Sequence, residues 1–230
     1  MNIYKSIYYQ IRFNSLKRSS RVMYYDCQDY IQKGVKIIDL GCGSGIIGKT
    51  FSDLLEATVI GVDIRDDRVV DLPFQIVDGG KLPFEDDEFD VCLISYVLHH
   101  VDNPSFLLQE VKRICKGKII IYEDLPEGLF SIFRCHIHLM LTNLFLSGIF
   151  HWKFSFKTQT EWETLFSDLG LRNFTKKRVY KSYDWIDPVK RILYVLEKNQ
   201  ADQYNTIRND ISPELVFSEI IAKEETSVYI

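Results

Sequence analysis

The stretch Val35 to Gly48, VKIIDLGCGSGIIG, decides the fold. An apolar, β-branched run closes on Asp39 and Leu40. It then enters a turn in which Gly41, Gly43 and Gly45 alternate, and resumes as apolar Ile46 and Ile47. A strand that ends in a glycine-dense turn and opens a helix is the first half of a βαβ unit. Glycine lacks Cβ, so such a turn bends sharply and brings backbone N–H groups and a helix N-terminus close to a ligand.

Outward from this unit, short β-branched runs alternate with helical stretches. The strand candidates are VKIIDL, ATVIGVDI, PFQIVD, FDVCLISYV and KGKIIIYED. Alternation of this kind predicts an α/β fold, a mostly parallel sheet with helices on both faces. Each run ends near a small, acidic or polar residue, and open α/β sheets place ligands at those carboxyl ends. Asp102-Asn103-Pro104 reads as a helix start, with the helix ending near Gly117. Thr160 and Glu163 read as a capping box, with Trp162, Leu165, Phe166 and Leu169 on one face and Gly170 as the stop. RNFTKKRVYKSY and RILYVLEK read as two strands whose connection is too short for a parallel crossover, so the last is expected antiparallel at a sheet edge.

With 230 residues the chain suits a single α/β domain. The expected organisation is an N-terminal helical segment over 1–34, holding one or two amphipathic helices, a core over 35–198, and a polar tail over 199–230. Hydrophobic residues at 46% and charged residues at 26% are a globular balance. The N-terminus mixes charged and aromatic residues and carries no export signal. The five cysteines, Cys27, Cys42, Cys92, Cys115 and Cys135, form no C-x-x-C pair, which fits reduced thiols in a cytoplasmic setting. A net charge of −4 offers nucleic acid no general attraction. Basic residues do gather near the N-terminus and from Arg172 to Lys181, where the plainer reading is a solvated face.

Gly43, Gly45 and Gly48 also satisfy G-x-G-x-x-G, with Asp63 about 20 residues on, as a dinucleotide fingerprint requires. Asp39 separates the two readings. A carboxylate beside the turn repels a diphosphate, whereas S-adenosylmethionine carries an ammonium and a sulfonium and is attracted. Asp63, closing its strand, can accept hydrogen bonds from both ribose hydroxyls. Asp78, before Gly79 and Gly80, is placed to accept from the adenine amino group, with Ile64 and Leu82 against the ring.

IIDLGCGSG, GVDI, VDGGKLPFEDDEFDVCLISYVLHHV and the closing strand pair together resemble the class I S-adenosylmethionine-dependent methyltransferases. Within these the likeness is to the group that includes the ubiquinone and menaquinone biosynthesis methyltransferases. The resemblance covers roughly Val35 to Lys198. It implies a Rossmann-like, seven-stranded sheet with an antiparallel last strand. It also implies cofactor contacts from Asp39, Gly41, Gly43, Asp63, Ile64, Asp78 and Gly79, with Ser95 and Tyr96 beside the sulfonium; Cys42 and Gly45 belong to the same turn.

Methyl transfer from a sulfonium is an in-line displacement that depends chiefly on alignment in a water-poor pocket. A general base is needed only where the attacking atom must lose a proton. His99 and His100 after the fourth strand, and Glu123 and Asp124 after the fifth, are the candidates. His-His-Val recurs in such enzymes without an implied catalytic part, and the two acids equally suit a helix cap. Between Asp124 and Phe156 the chain inserts a segment, about 127–152, that is apolar around most of a helical circumference. Its uses, in order of preference, are a lid over an apolar acceptor, a homodimer face, and a shallow membrane contact; polar interruptions argue against a span. His136-x-His138 lacks a third ligand, so no metal site is expected. The leading reading is a methyltransferase acting on a small, apolar or amphipathic acceptor. The alternatives are an RNA or protein methyltransferase and a catalytically silent S-adenosylmethionine-binding adaptor.

Overall fold

The structure, a computed structural model, describes residues 3–125, 132–133, 135–137, 140, 156–179 and 190–199, with side chains from Ile11 onward except those of residues 173 and 174. Contacts divide the chain into a unit Met1–Glu197 and a second unit from Lys198; the architecture below is that of the first.

Helix α1 spans Ile3–Cys27 as one continuous element. Strand β1 (Lys36–Leu40) leads into α2 (Ile46–Leu55), followed by β2 (Thr58–Asp63), β3 (Phe74–Ile76) and β4 (Phe89–Ser95). A one-turn 3-10 helix (Leu98–His100) precedes α3 (Pro104–Ile114), β5 (Cys115–Leu125), α4 (Gln159–Asp168), β6 (Leu171–Val179) and β7 (Lys190–Lys198). The seven strands form one sheet in the order β3-β2-β1-β4-β5-β7-β6. β1 pairs in parallel with β2 and β4, β2 with β3, and β4 with β5, whereas β7 runs antiparallel to β5. The α/β class, the parallel body and the antiparallel last strand are as expected; β7 lies inside β6 and leaves β6 at the edge.

The central strands β1, β4, β5 and β7 are buried on both faces, which is why they read as largely continuous apolar runs. Alternate residues serve two cores. Ile38, Ile94, Ile119, Ile121, Ile192 and Tyr194 pack with α3 and α4, and Ile37, Leu93, Ile120, Tyr122 and Leu193 pack with α1 and α2. The Tyr122 hydroxyl donates to the Met23 carbonyl at 2.6 Å, and Ser20 meets Thr50 across α1 and α2 at 2.7 Å. These bonds tie the N-terminal helix to the sheet and to its neighbour.

Two expected boundaries are corrected. The α4 capping box is Thr158 with Glu161, two residues before the pair expected from sequence. Thr160 is already inside the helix, and Glu163 is drawn to Lys176 at 2.9 Å and to Gln159 at 2.8 Å. Helix α3 ends at Ile114, so Gly117 lies within β5, not at a helix end. The Asn103 cap holds as read, its side chain accepting from Phe106 N–H at 3.1 Å. All five cysteines are buried and none is in a disulfide. No helix among the described residues is long and apolar enough to cross a membrane.

Candidate functional site

The strand order reverses between β1 and β4, and the glycine turn opens at that crevice. Gly41 has φ +71°, and a Cβ there would sit 2.4 Å from Val97 Cγ2. Only glycine fits, because both the backbone angle and the Val97 wall exclude a side chain. Gly43 differs: at φ +49° a Cβ would meet nothing within 4 Å, so its open side is a cradle at the mouth of the crevice. Gly45, at φ +74°, is the N-cap of α2. Cys42 is buried, and burial, followed by the charges of Asp39 and Asp63, holds its thiol well above the ordinary range.

Much of the turn's donor capacity is already committed. Gly41 and Cys42 N–H donate to the Val62 carbonyl at 2.7 and 3.1 Å, and Gly45 N–H to the Cys42 carbonyl at 2.8 Å. Gly43 N–H donates to Asp63 Oδ2, and Gly48 N–H to Asp39 Oδ2, both at 2.9 Å. Asp39 is 1% exposed. Burial pushes its carboxyl up to about 7, against the pull of the Gly48 N–H and with a smaller push from the Asp63 charge. Asp63 accepts Ile64 N–H through its other oxygen at 2.7 Å. Each of its oxygens keeps a further lone pair.

Beyond Asp63 the rim is partly apolar. Ile64 is 66% exposed, and Ile76, opposite Asp63 in the β2–β3 register, is 61% exposed. Asp78 is exposed and accepts Gly80 N–H at 2.9 Å; at Gly79 a Cβ would meet nothing within 4 Å. Leu82 departs from expectation. It is 2% exposed and packs in the core, with its N–H donating to Glu110 at 2.8 Å. Arg113 completes a clamp, pairing with Glu110 while donating to the carbonyls of Leu82 and Phe84 at 2.9 and 2.7 Å. Leu82 therefore anchors the loop and does not border the crevice.

At the ends of β4 and β5 the remaining candidates form two groups. Ser95 is buried, and its Oγ meets no partner among the described residues. Tyr96 follows at φ +61°, its ring facing the Arg191 guanidinium at 4.7 Å. Arg191 Nε donates to Asp124 Oδ1 at 3.0 Å. Asp124, a sequence candidate for a base, is thus held in an ion pair. On the opposite side of β5, Glu123 is fully buried. One oxygen accepts Leu98 N–H at 2.8 Å and the other lies 2.7 Å from His99 Nδ1. Both Glu123 oxygens are thus engaged within the chain, one by the 3-10 turn and one by His99. His99 is 2% exposed and stacks with Phe156 at 5.1 Å, whereas His100 is exposed.

Sequence reasoning missed Arg191 and Phe156, which lie far along the chain from Asp124 and His99. The antiparallel reading of the last strand was the one available signal for Arg191, because it brings the start of β7 to this rim. Most of the 127–152 insertion and His138 lie outside the described residues. Of its described part, Ile132, Phe133 and Ile137 are exposed. His136 Nδ1 lies 2.8 Å from the Ile132 carbonyl, and its ring meets Phe156 edge-on at 5.4 Å. No cluster of three His, Cys, Asp or Glu suited to a metal occurs among the described residues.

Part of the chain is similar to known proteins. Residues 38–121 match the model of the methyltransferase domain family. An uncharacterized protein of Methanocaldococcus jannaschii is 37% identical over 40% of this chain and 45% of its own length. The ubiquinone/menaquinone biosynthesis C-methyltransferase UbiE of Paraburkholderia xenovorans is 27% identical over 44% of this chain and 48% of its own. The chain thus spans about half the length of the curated relatives it matches. Among solved structures, geranyl diphosphate C-methyltransferase of Streptomyces coelicolor A3(2) aligns with a TM-score of 0.60 at 14% identity, covering 79% of this chain and 80% of that one. That enzyme was crystallised with Mg2+, geranyl diphosphate and S-adenosyl-L-homocysteine. The resemblance to class I methyltransferases is met by the family match, the relatives and the fold.

Proposed function

We propose that this chain, whose residues 38–121 match the methyltransferase domain family, is an S-adenosylmethionine-dependent methyltransferase acting on a small, apolar or amphipathic acceptor. One observation carries the choice of cofactor. The N–H of Gly43 in the glycine turn and that of Gly48 in the first turn of α2 are already taken by the carboxylates of Asp63 and Asp39. A diphosphate needs such N–H groups free and its surroundings cationic. A turn lined by two carboxylates suits a positively charged ligand instead.

The residues present fit that cofactor. Gly43 and Gly79 leave side-chain space open, Ile64 offers an exposed apolar face to a purine, and the buried Ser95 Oγ has no partner among the described residues. A buried hydroxyl left so costs about 1–3 kcal/mol, which a polar ligand atom recovers. Asp63 would accept the ribose hydroxyls, Asp39 would supply negative charge for the ammonium, and Asp78 would accept from the adenine amino group. When bound, the cofactor supplies an electrophilic methyl group on a sulfonium. The chain then has to align the acceptor with it and keep water away.

Where the acceptor must lose a proton, the Glu123–His99 pair serves. Glu123 fixes the imidazole with Nδ1–H towards its carboxylate, which leaves Nε2 as the basic nitrogen. Phe156 covers His99, so access to it is governed by the chain that follows the apolar insertion. The activities for which the quinone-pathway relative and the geranyl diphosphate enzyme are named support an apolar acceptor. Buried cysteines outside any disulfide accord with a cytoplasmic setting. The deciding experiment titrates purified chain with S-adenosylhomocysteine, NAD and FAD by calorimetry and thermal shift. Heat and stabilisation from adenosylhomocysteine alone are expected, and a preference for NAD or FAD overturns the assignment.

A further inference from the structure

The basic residues of the chain are used in two different ways. On β6 they are consumed internally: Arg172 pairs with Glu197, Lys176 with Glu163, Lys177 with Asp26, and Arg178 donates to Gln159. On α1 they are not. From Ile11 to the end of that helix six residues are exposed: Ile11, Asn14, Lys17, Arg18, Arg21 and Tyr25. At 3.6 residues per turn these fall within one arc of roughly 120° and run along about 21 Å of helix. The opposite face, with Ser20, Met23 and Cys27, is buried, so the orientation of the stripe is fixed by packing.

Three of the six are cations and none is an anion. No ion pair, side-chain hydrogen bond or ring contact engages the charged groups of Lys17, Arg18 or Arg21 among the described residues. The nearest acids in sequence are Asp26, which is tied to Lys177, and Asp29, which lies beyond the helix. Two apolar groups share this face. Ile11 is 77% exposed and Tyr25 is 59% exposed.

We propose that this face of α1 docks the protein on an anionic lipid bilayer. Unpaired Lys and Arg on an exposed helix face are drawn to anionic headgroups. Ile11 and Tyr25 suit the boundary between headgroup and acyl chain, where an aliphatic side chain gains burial and a tyrosine keeps its hydroxyl wet. A nucleic acid is the poorer match. An exposed isoleucine has no counterpart on a phosphate backbone, the second basic cluster is consumed by partners within the chain, and the net charge is −4.

The test is flotation of the full natural chain with vesicles of phosphatidylcholine alone and with phosphatidylglycerol added. Binding is expected only with the anionic lipid and is lost as salt rises to about 1 M, where the screening length falls to about 3 Å. The variant K17Q/R18Q/R21Q should partition about 100-fold more weakly, from roughly fivefold per charge, with an unchanged circular dichroism spectrum. Ile11→Ser should weaken it by a smaller factor. Equal binding to neutral and anionic vesicles, or none to either, overturns the proposal. So does a triple variant that floats like the natural chain, or loss of polyuridylate binding in that variant when vesicles are ignored. The lipid and salt arms use the natural chain, so they decide the matter whether or not the variant folds.

Discussion

His99 Nδ1 lies 2.7 Å from Glu123 Oε2, and both side chains are sealed from solvent. The other Glu123 oxygen accepts the Leu98 N–H, so a single carboxylate holds both the imidazole and the 3-10 turn that carries it. In Glu123→Gln the amide keeps the shape and the acceptor for Leu98, but its NH2 faces Nδ1 and places the ring proton on Nε2, where the base is needed. With an acceptor that must be deprotonated, kcat should fall about 10²–10⁴-fold, with adenosylhomocysteine affinity unchanged in calorimetry. An unaltered kcat would leave the pair a purely structural role.

Asp63 joins two parts of the site. Asp63→Ala removes the ribose acceptor and frees the Gly43 N–H, and each lost charge-assisted bond is worth about 1.5–3 kcal/mol. Calorimetry should show adenosylhomocysteine binding weakened by at least about tenfold. A folded variant of undiminished affinity would contradict this placement of the ribose.

Proton linkage at Asp39 gives a signed prediction. Its folded-state value, about 7, lies above the ordinary carboxylate range near 3.9, so between those limits the native chain holds more protons than the unfolded one. Stability contributed by this group is therefore full below about pH 4 and declines as pH rises towards 7. The ammonium of adenosylhomocysteine favours the ionised form, so its affinity should rise as pH rises from 5 to about 7 and then level. Asp39→Asn should flatten both curves; calorimetric titrations and urea melts across pH read them out.

Packing beneath the turn is equally testable. A Cβ at Gly48 would lie 2.7 Å from Asp39 Oδ2 and 2.9 Å from Leu72 Cδ2. Gly48→Ala should cost about 1–3 kcal/mol through overpacking, seen as a lower urea midpoint. A neutral result would mean that α2 moves aside freely.

The sheet and its glycine turn were legible because their signals are local. Strand ends, turn glycines and the Asn103 cap each sit within a few residues of what they organise. Local reading failed where patterns overlap. TQTEWE contains two Thr-x-x-Glu frames, and only tertiary pairing of Glu163 with Lys176 shows which one caps the helix. Leu82 looked like a ring contact because its loop follows Asp78, but the Glu110–Arg113 clamp, on a helix 28 residues on, turns it inward. His99 with Glu123, and Asp124 with Arg191, depend on register between strands, which no window of sequence contains.

That register gives two neighbouring acids separate tasks. Residues along β5 point alternately to opposite sides, so Glu123 addresses an imidazole while Asp124 addresses a guanidinium. Deleting any one residue from the middle of β5 would reverse this parity, swapping a proton-handling carboxylate for a charge-neutralising one without changing a single functional group.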